Sequence, residues 1–197
     1  ETDYLGFNLT LHKRLSQRWM LRGYLSWAEW TWSVPDSERQ DPNVRTDGSG
    51  WDDNGGPVFQ YPITPGWSYR LGGLVQIAPE KSWGVDVSGN LWGRQGYAIY
   101  YFTTQYGVFA TEPELDLQAV RPLDDYRLPD LHLLDLRVEK PVTLGDFGLS
   151  FAVECFNVFN ESTVLKRTNR LEASTTNWVQ EVVNPRVFRL SIRLRYR

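Results

Sequence analysis

Cysteine is nearly missing from this chain: Cys155 is the one example in 197 residues. No intrachain disulfide can therefore form, and no cysteine metal cluster can be assembled within it. The thiol is read as a small apolar filler, buried or lipid-facing. Long hydrophobic runs are missing too. No stretch approaches the roughly 18–20 apolar residues of a spanning helix, and mean hydropathy is -0.44. Membrane strands escape that criterion, because alternating faces average to near neutrality. Basic charge is not in excess: 21 Lys and Arg face 24 Asp and Glu, for a net charge of -3. That balance gives no support to nucleic-acid binding. Histidine is scarce, and His12 and His132 have no partner at metal-ligand spacing, so no metal site is expected.

What the chain has in quantity is aromatics, with 9 Trp and 10 Tyr, set in segments of strict period-two alternation. The clearest is the C-terminal stretch 186–197, where Phe188, Leu190, Ile192, Leu194 and Tyr196 oppose Arg189, Ser191, Arg193, Arg195 and Arg197. The same pattern predicts strands near 4–12, 19–32, 67–78, 84–97, 131–140 and 147–159, about seven in all. Examples are Leu21, Leu71, Val87 and Leu136 on one face against Arg22, Arg70, Asp86 and Asp135 on the other.

The joints between these segments alternate in length. Short ones lie around 15–17, 79–82 and 141–146, while 33–66, 98–129 and 160–184 separate the remaining pairs. Connections above about 12–15 residues are uncommon in compact domains. Their recurrence at every second joint fits a membrane barrel, with short turns at one rim and long loops at the other. The fold class expected is thus all-β, an antiparallel up-and-down transmembrane barrel segment. Segment lengths agree with the ~9–11 residues of a tilted spanning strand. Trp19 and Trp83 follow short turns and Tyr196 ends the last strand at the same level, as a turn-side aromatic girdle would. Trp27 lies eight positions from Trp19 on the same face. At ~3.3 Å per residue and ~45° tilt, that is roughly 20 Å of height, near the other edge of a ~25 Å apolar band. A soluble β-sandwich, with these tryptophans in its core and its aromatics as a carbohydrate platform, is the competing architecture.

Inward positions in the barrel reading are Arg22, Arg70, Asp86, Asp135, Arg137, Glu139, Glu154, Arg189, Arg193 and Arg195. Such charges can contact a plug, line a passage or pair with one another in a hydrated ladder. Lipid exposure would cost about 2–4 kcal/mol per Arg at the midplane, so the polar parity belongs inside. In the long loops, Trp51 and the Tyr97, Tyr100 and Tyr101 cluster are candidates for stacking on a ligand or covering the rim. Asp47, Asp52, Asp53 and Asn54 do not fit a calcium loop, because Trp51 falls at the fifth ligand position. The turn-rich segment 47–56 is read as a loop. Glu112, Glu114, Asp116, Asp124 and Asp125 read as solvated loop charges. No nucleophile or zincin motif marks a catalytic site, so neither enzyme activity nor a cofactor is expected.

Several phrases resemble the C-terminal third of a TonB-dependent outer-membrane receptor. They are Lys13-Arg-Leu-Ser-Gln-Arg-Trp-Met-Leu-Arg-Gly23, Leu134-Asp-Leu-Arg-Val-Glu-Lys140, Phe151-Ala-Val-Glu-Cys-Phe-Asn157-Val-Phe-Asn160 and Asn184-Pro-Arg186. Together they span most of the chain. The resemblance implies a barrel of about 22 strands around a plug, of which this chain supplies roughly a third. It implies residence in the cell outer membrane, with lipid, the remaining strands, the plug, and TonB acting through that plug as partners. The implied activity is import of a scarce small molecule such as a siderophore or carbohydrate. No signal peptide is read at Glu1, so either one was removed or the chain starts inside a longer protein; no plug sequence or energy-coupling box precedes Glu1 either, which fits a fragment. An odd strand number leads to the same expectation, since single-chain bacterial barrels use even counts. The family's last strand usually ends on Phe or Trp, whereas here Tyr196 is followed by Arg197. A structural or adhesive outer-membrane barrel is the alternative function.

Overall fold

The structure, a computed structural model, describes residues 2–32, 66–99, 101–105, 115–119 and 126–196. It contains β1 (Thr2–Ser16), β2 (Trp19–Trp32), β3 (Trp67–Ile77), β4 (Val85–Arg94), β5 (Phe102–Gln105), β6 (Leu115–Gln118), β7 (Leu131–Leu144), β8 (Phe147–Phe156), β9 (Val164–Arg167), β10 (Val179–Val182) and β11 (Val187–Tyr196). There is no helix among the described residues. Seven of the strands form one sheet in the order β1-β2-β3-β4-β7-β8-β11. All neighbours are antiparallel. Successive strands of this sheet are adjacent, which makes it an up-and-down meander of the kind that forms a barrel wall.

Three short connections close one end. Ser16 pairs with Trp19 across Gln17 and Arg18, which have φ of 53° and 70°. Two consecutive positive values match the backbone twist of a tight hairpin turn of type I′. Leu144 pairs with Phe147 across Gly145, at φ 58°, and Asp146. This last turn is tighter than the expected 141–146, because β7 continues through Pro141. Pro141 is tolerated there because the last β4–β7 pair is Asp86↔Glu139, so β7 has lost one neighbour at that point.

Other boundaries also differ from the sequence reading. The first strand runs past 4–12 at both ends, and a register shift between Lys13 and Ser16 takes up one extra residue on β1. The strand expected over 84–97 is Val85–Arg94. The strand expected over 147–159 stops at Phe156, since Asn157 turns into the left-handed region at φ 52°. The two later long joints are not structureless. Each carries a small ribbon, β5 paired with β6 and β9 paired with β10.

Register sorts the sheet into two faces. One row after another across all seven strands carries apolar side chains, and these stay uncovered: Leu71 and Leu136 are each 40% exposed and Leu190 is 79% exposed. Among the described residues each main-sheet strand packs only on its sheet neighbours. No second sheet covers that face there, so the sandwich alternative lacks the opposing layer that would bury it. The buried apolar residues, Tyr101, Leu128, Leu131, Ala152 and Val183, lie mostly at the long-loop end.

Candidate functional site

The polar rows of six strands line one groove of about 910 Å³, which reaches from Thr10 on β1 to Glu154 on β8. One space can touch so many strands only if the sheet curves toward this face. Arg22, Arg70, Asp135, Arg137 and Glu154 all line it. Asp86 and Glu139 pair with each other in the register closer to the turn end. Arg189, Arg193 and Arg195 share the same face on β11, opposite Glu154, Ser150 and Gly148. All ten charged positions singled out from the alternation therefore share one face, five of them around the groove.

Within it, charge is largely committed. Glu154 is 8% exposed, and its carboxylate is taken at both oxygens. Arg137 Nη1 donates to Oε1 at 2.8 Å, and Arg189 Nε donates to Oε2. Arg137 also reaches Glu139 through Nη2 at 2.6 Å. Arg70 Nε donates to Asn90 Oδ1 at 2.7 Å, and Asp135 Oδ1 accepts the Asn157 backbone N–H at 2.9 Å. A buried carboxylate between two guanidiniums is held in place and cannot serve as a free base. The Arg22 side chain makes no hydrogen bond among the described residues and lies beside Gly72, whose missing side chain leaves the groove floor open.

At the loop end, two asparagines act where the sequence reading placed only a family phrase. Asn157 is 5% exposed. Its Nδ2 donates to the carbonyls of Glu161 at 2.9 Å and Asn184 at 2.8 Å, and its Oδ1 accepts from Glu161 N. Asn160 Oδ1 accepts the Arg186 N–H at 3.0 Å. Both sit at positive φ, which asparagine tolerates better than most residues. Together they clasp the start and end of the 157–186 connection. The Asn-x-x-Asn spacing was visible in sequence, but its partners, 27 and 26 positions downstream, were not.

The loop aromatics fall in different settings. Tyr101 is 9% exposed, edge-on to Tyr126 at 5.6 Å, with its hydroxyl given to Asn177. Tyr97 lies under the Arg94 guanidinium, 3.7 Å from it. Trp51 and Tyr100 lie outside the described residues, as do the 47–56 segment and Glu112, Glu114, Asp124 and Asp125.

On the apolar face, aromatics gather at both rims. Trp27 pairs with Trp67 across β2 and β3. Trp67, Tyr69 and His132 stack with centroids 5.6–6.0 Å apart, and the Tyr69 hydroxyl meets His132 Nδ1 at 2.9 Å. Gly93 permits this cluster: a Cβ there would sit 2.8 Å from both His132 Nδ1 and Tyr69 Cε1. Trp67 and Tyr69 were not singled out from sequence among the rim aromatics, although Trp67 opens β3 on the apolar parity just as Trp19 opens β2. At the turn rim, Lys13 Nζ lies 3.7 Å from the centroid of the Trp19 ring and donates to the Ser16 and Trp19 carbonyls. Lys140 Nζ likewise donates to Gly84 O at 2.7 Å. Trp83 is 62% exposed on the 78–84 turn, and Tyr196 contacts Phe147 at 5.2 Å.

The sequence matches no protein-family model and no curated protein. Its structure is similar to part of the ferric preacinetobactin receptor BauA from Acinetobacter baumannii, with a TM-score of 0.59. The likeness is one of fold. It covers 97% of this chain at 15% sequence identity. The chain spans 22% of that receptor's length.

Proposed function

We propose that this chain is the C-terminal part of the barrel of a TonB-dependent outer-membrane receptor. In this reading the uncovered apolar face meets lipid, the charged face lines the lumen, and the long connections lie outside the cell. The observation that carries it is the breadth of the apolar face. Seven adjacent strands with exposed leucines would aggregate in water, because monomeric soluble proteins rarely show such patches beyond a few hundred Å². Lysines folded back over the turn carbonyls and aromatics at both rims suit the interfaces of a bilayer. The fold similarity to a segment of the ferric preacinetobactin receptor supports the same assignment.

The function proposed is capture of a scarce nutrient, a siderophore, carbohydrate or similar small molecule, followed by energy-coupled passage. Energy arrives from TonB through a plug that the rest of the protein supplies. The chain's own contribution is binding and guidance, not bond chemistry. The groove, with its fixed Arg137–Glu154–Arg189 set and an Arg22 side chain unpaired among the described residues, forms wall for either the plug or the passage.

Uptake of labelled ferric siderophores and oligosaccharides by a strain lacking the full-length gene, with and without complementation, tests this directly. Gene-dependent uptake that vanishes without TonB is expected. Surface attachment without uptake would favour the adhesive barrel instead.

A further inference from the structure

The two connections that carry ribbons, 95–130 and 157–186, meet each other away from the main sheet. Phe102 N donates to Asn169 O at 3.1 Å, and Leu171 N donates to Phe102 O at 2.9 Å. This is a parallel bridge between Phe102 and Arg170, so the start of β5 lies alongside the tip of the β9–β10 ribbon. The Arg170 guanidinium lies 5.5 Å over the Phe102 ring, and Tyr101 donates its hydroxyl to Asn177 Oδ1.

Each side is braced before it meets the other. Tyr101 is buried against Tyr126, and its carbonyl accepts Ala119 N at 2.8 Å. The ribbon tip is held by Thr176 Oγ1, whose one hydroxyl proton faces the carbonyls of Ala173, Arg170 and Leu171. The ribbon base is held by the Asn157 and Asn160 clasp at the end of β8. Separating the two connections would break the bond of a buried tyrosine hydroxyl and two backbone hydrogen bonds, which opposes independent opening.

We propose that the described parts of these two connections, 101–105 with 115–119 and 157–186, form one cap that moves as a unit. The use of such a cap rests on the receptor reading: a solute touching either connection would then stiffen both, coupling contacts far apart in sequence. The coupling itself needs no ligand.

The test is a hydrogen-exchange cycle on the full-length protein in liposomes, following peptides over 101–105 and 164–182. Tyr101→Phe removes the hydroxyl and keeps the ring against Tyr126. Asn177→Gly removes the acceptor and suits the φ of 65° at that position. Each single change is expected to speed exchange about fivefold to tenfold in both peptides, including the one it does not touch. The double variant should exchange no faster than the faster single variant. Acceleration confined to the substituted connection, or factors that multiply in the double variant, would overturn the cap. A protein that shows the coupling but imports nothing would leave the cap standing and remove the receptor reading.

Discussion

Asn157 shows how much one side chain can hold when its bonds cross a loop. Its amide satisfies two carbonyls and one N–H at the base of the 157–186 connection while almost fully buried. Asn157→Ala leaves those groups without partners and places a Cβ-bearing residue with no polar side chain at φ 52°. The expected loss is ~2–4 kcal/mol in denaturant unfolding from liposomes. Glu154 is the charged counterpart. Glu154→Gln removes the carboxylate that holds Arg137 and Arg189 together, and a loss of ~1–3 kcal/mol is expected in the same assay. Arg193→Gln on the same face is the contrast. The Arg193 side chain makes no hydrogen bond among the described residues and acts on Glu139 only through its charge, so its change should stay within about 0.5 kcal/mol. Equal costs at Glu154 and Arg193 would mean that the ion set is not specific. At this scale the sequence exposed residue type and parity. It did not expose which of ten charged residues pair, because pairing depends on register between strands up to 35 positions apart.

At the scale of the element, β11 provides the sharpest test of face assignment. Leu190 is 79% exposed and sits mid-strand on the apolar row. Leu190→Arg is expected to cost about 2–4 kcal/mol in a bilayer, as a cation at midplane depth does. Thr10→Arg, at an exposed position of β1 on the charged face, should be far milder when both are followed by refolding into liposomes. Equal penalties would defeat the assignment of one face to lipid. The β7–β8 turn gives a second check: Gly145 holds φ 58° with open space around its Cα. Gly145→Ala should cost ~1 kcal/mol through backbone strain alone. The strands themselves were legible because period-two alternation is a local signal. Ends were less so. Pro141 reads as a stop, yet β7 passes through it where β4 no longer pairs. Residues 157–159 read as strand, yet the Asn157 turn ends it. The two ribbons within the long connections were missed, since four-residue strands carry too few alternations to register.

For the molecule as a whole, the two outer edges of the sheet matter most. β1 and β11 each pair on one side only among the described residues. Unpaired backbone cannot be left facing lipid. Expressed without further strands, the chain should therefore fail to insert into liposomes and should lack the heat-dependent gel shift of a closed barrel. Within the full-length protein, amides of β11 that point away from β8 should exchange as slowly as those that point toward it. Rapid exchange there would mean that β11 has no second neighbour and that the barrel reading is wrong.

The sequence by itself determined the alternation, the number of main strands, the rhythm of short and long joints, and which residues share a face. Each of these follows from side chains within one strand or from plain spacing along the chain. Tertiary structure alone decided that among the described residues the apolar face stays uncovered, that Glu154 is shared by Arg137 and Arg189, that Asn157 and Asn160 clasp a loop, and that two connections meet through Tyr101 and Asn177. Those features depend on register, curvature and the meeting of segments distant in sequence, and none of these leaves a periodic trace in the chain.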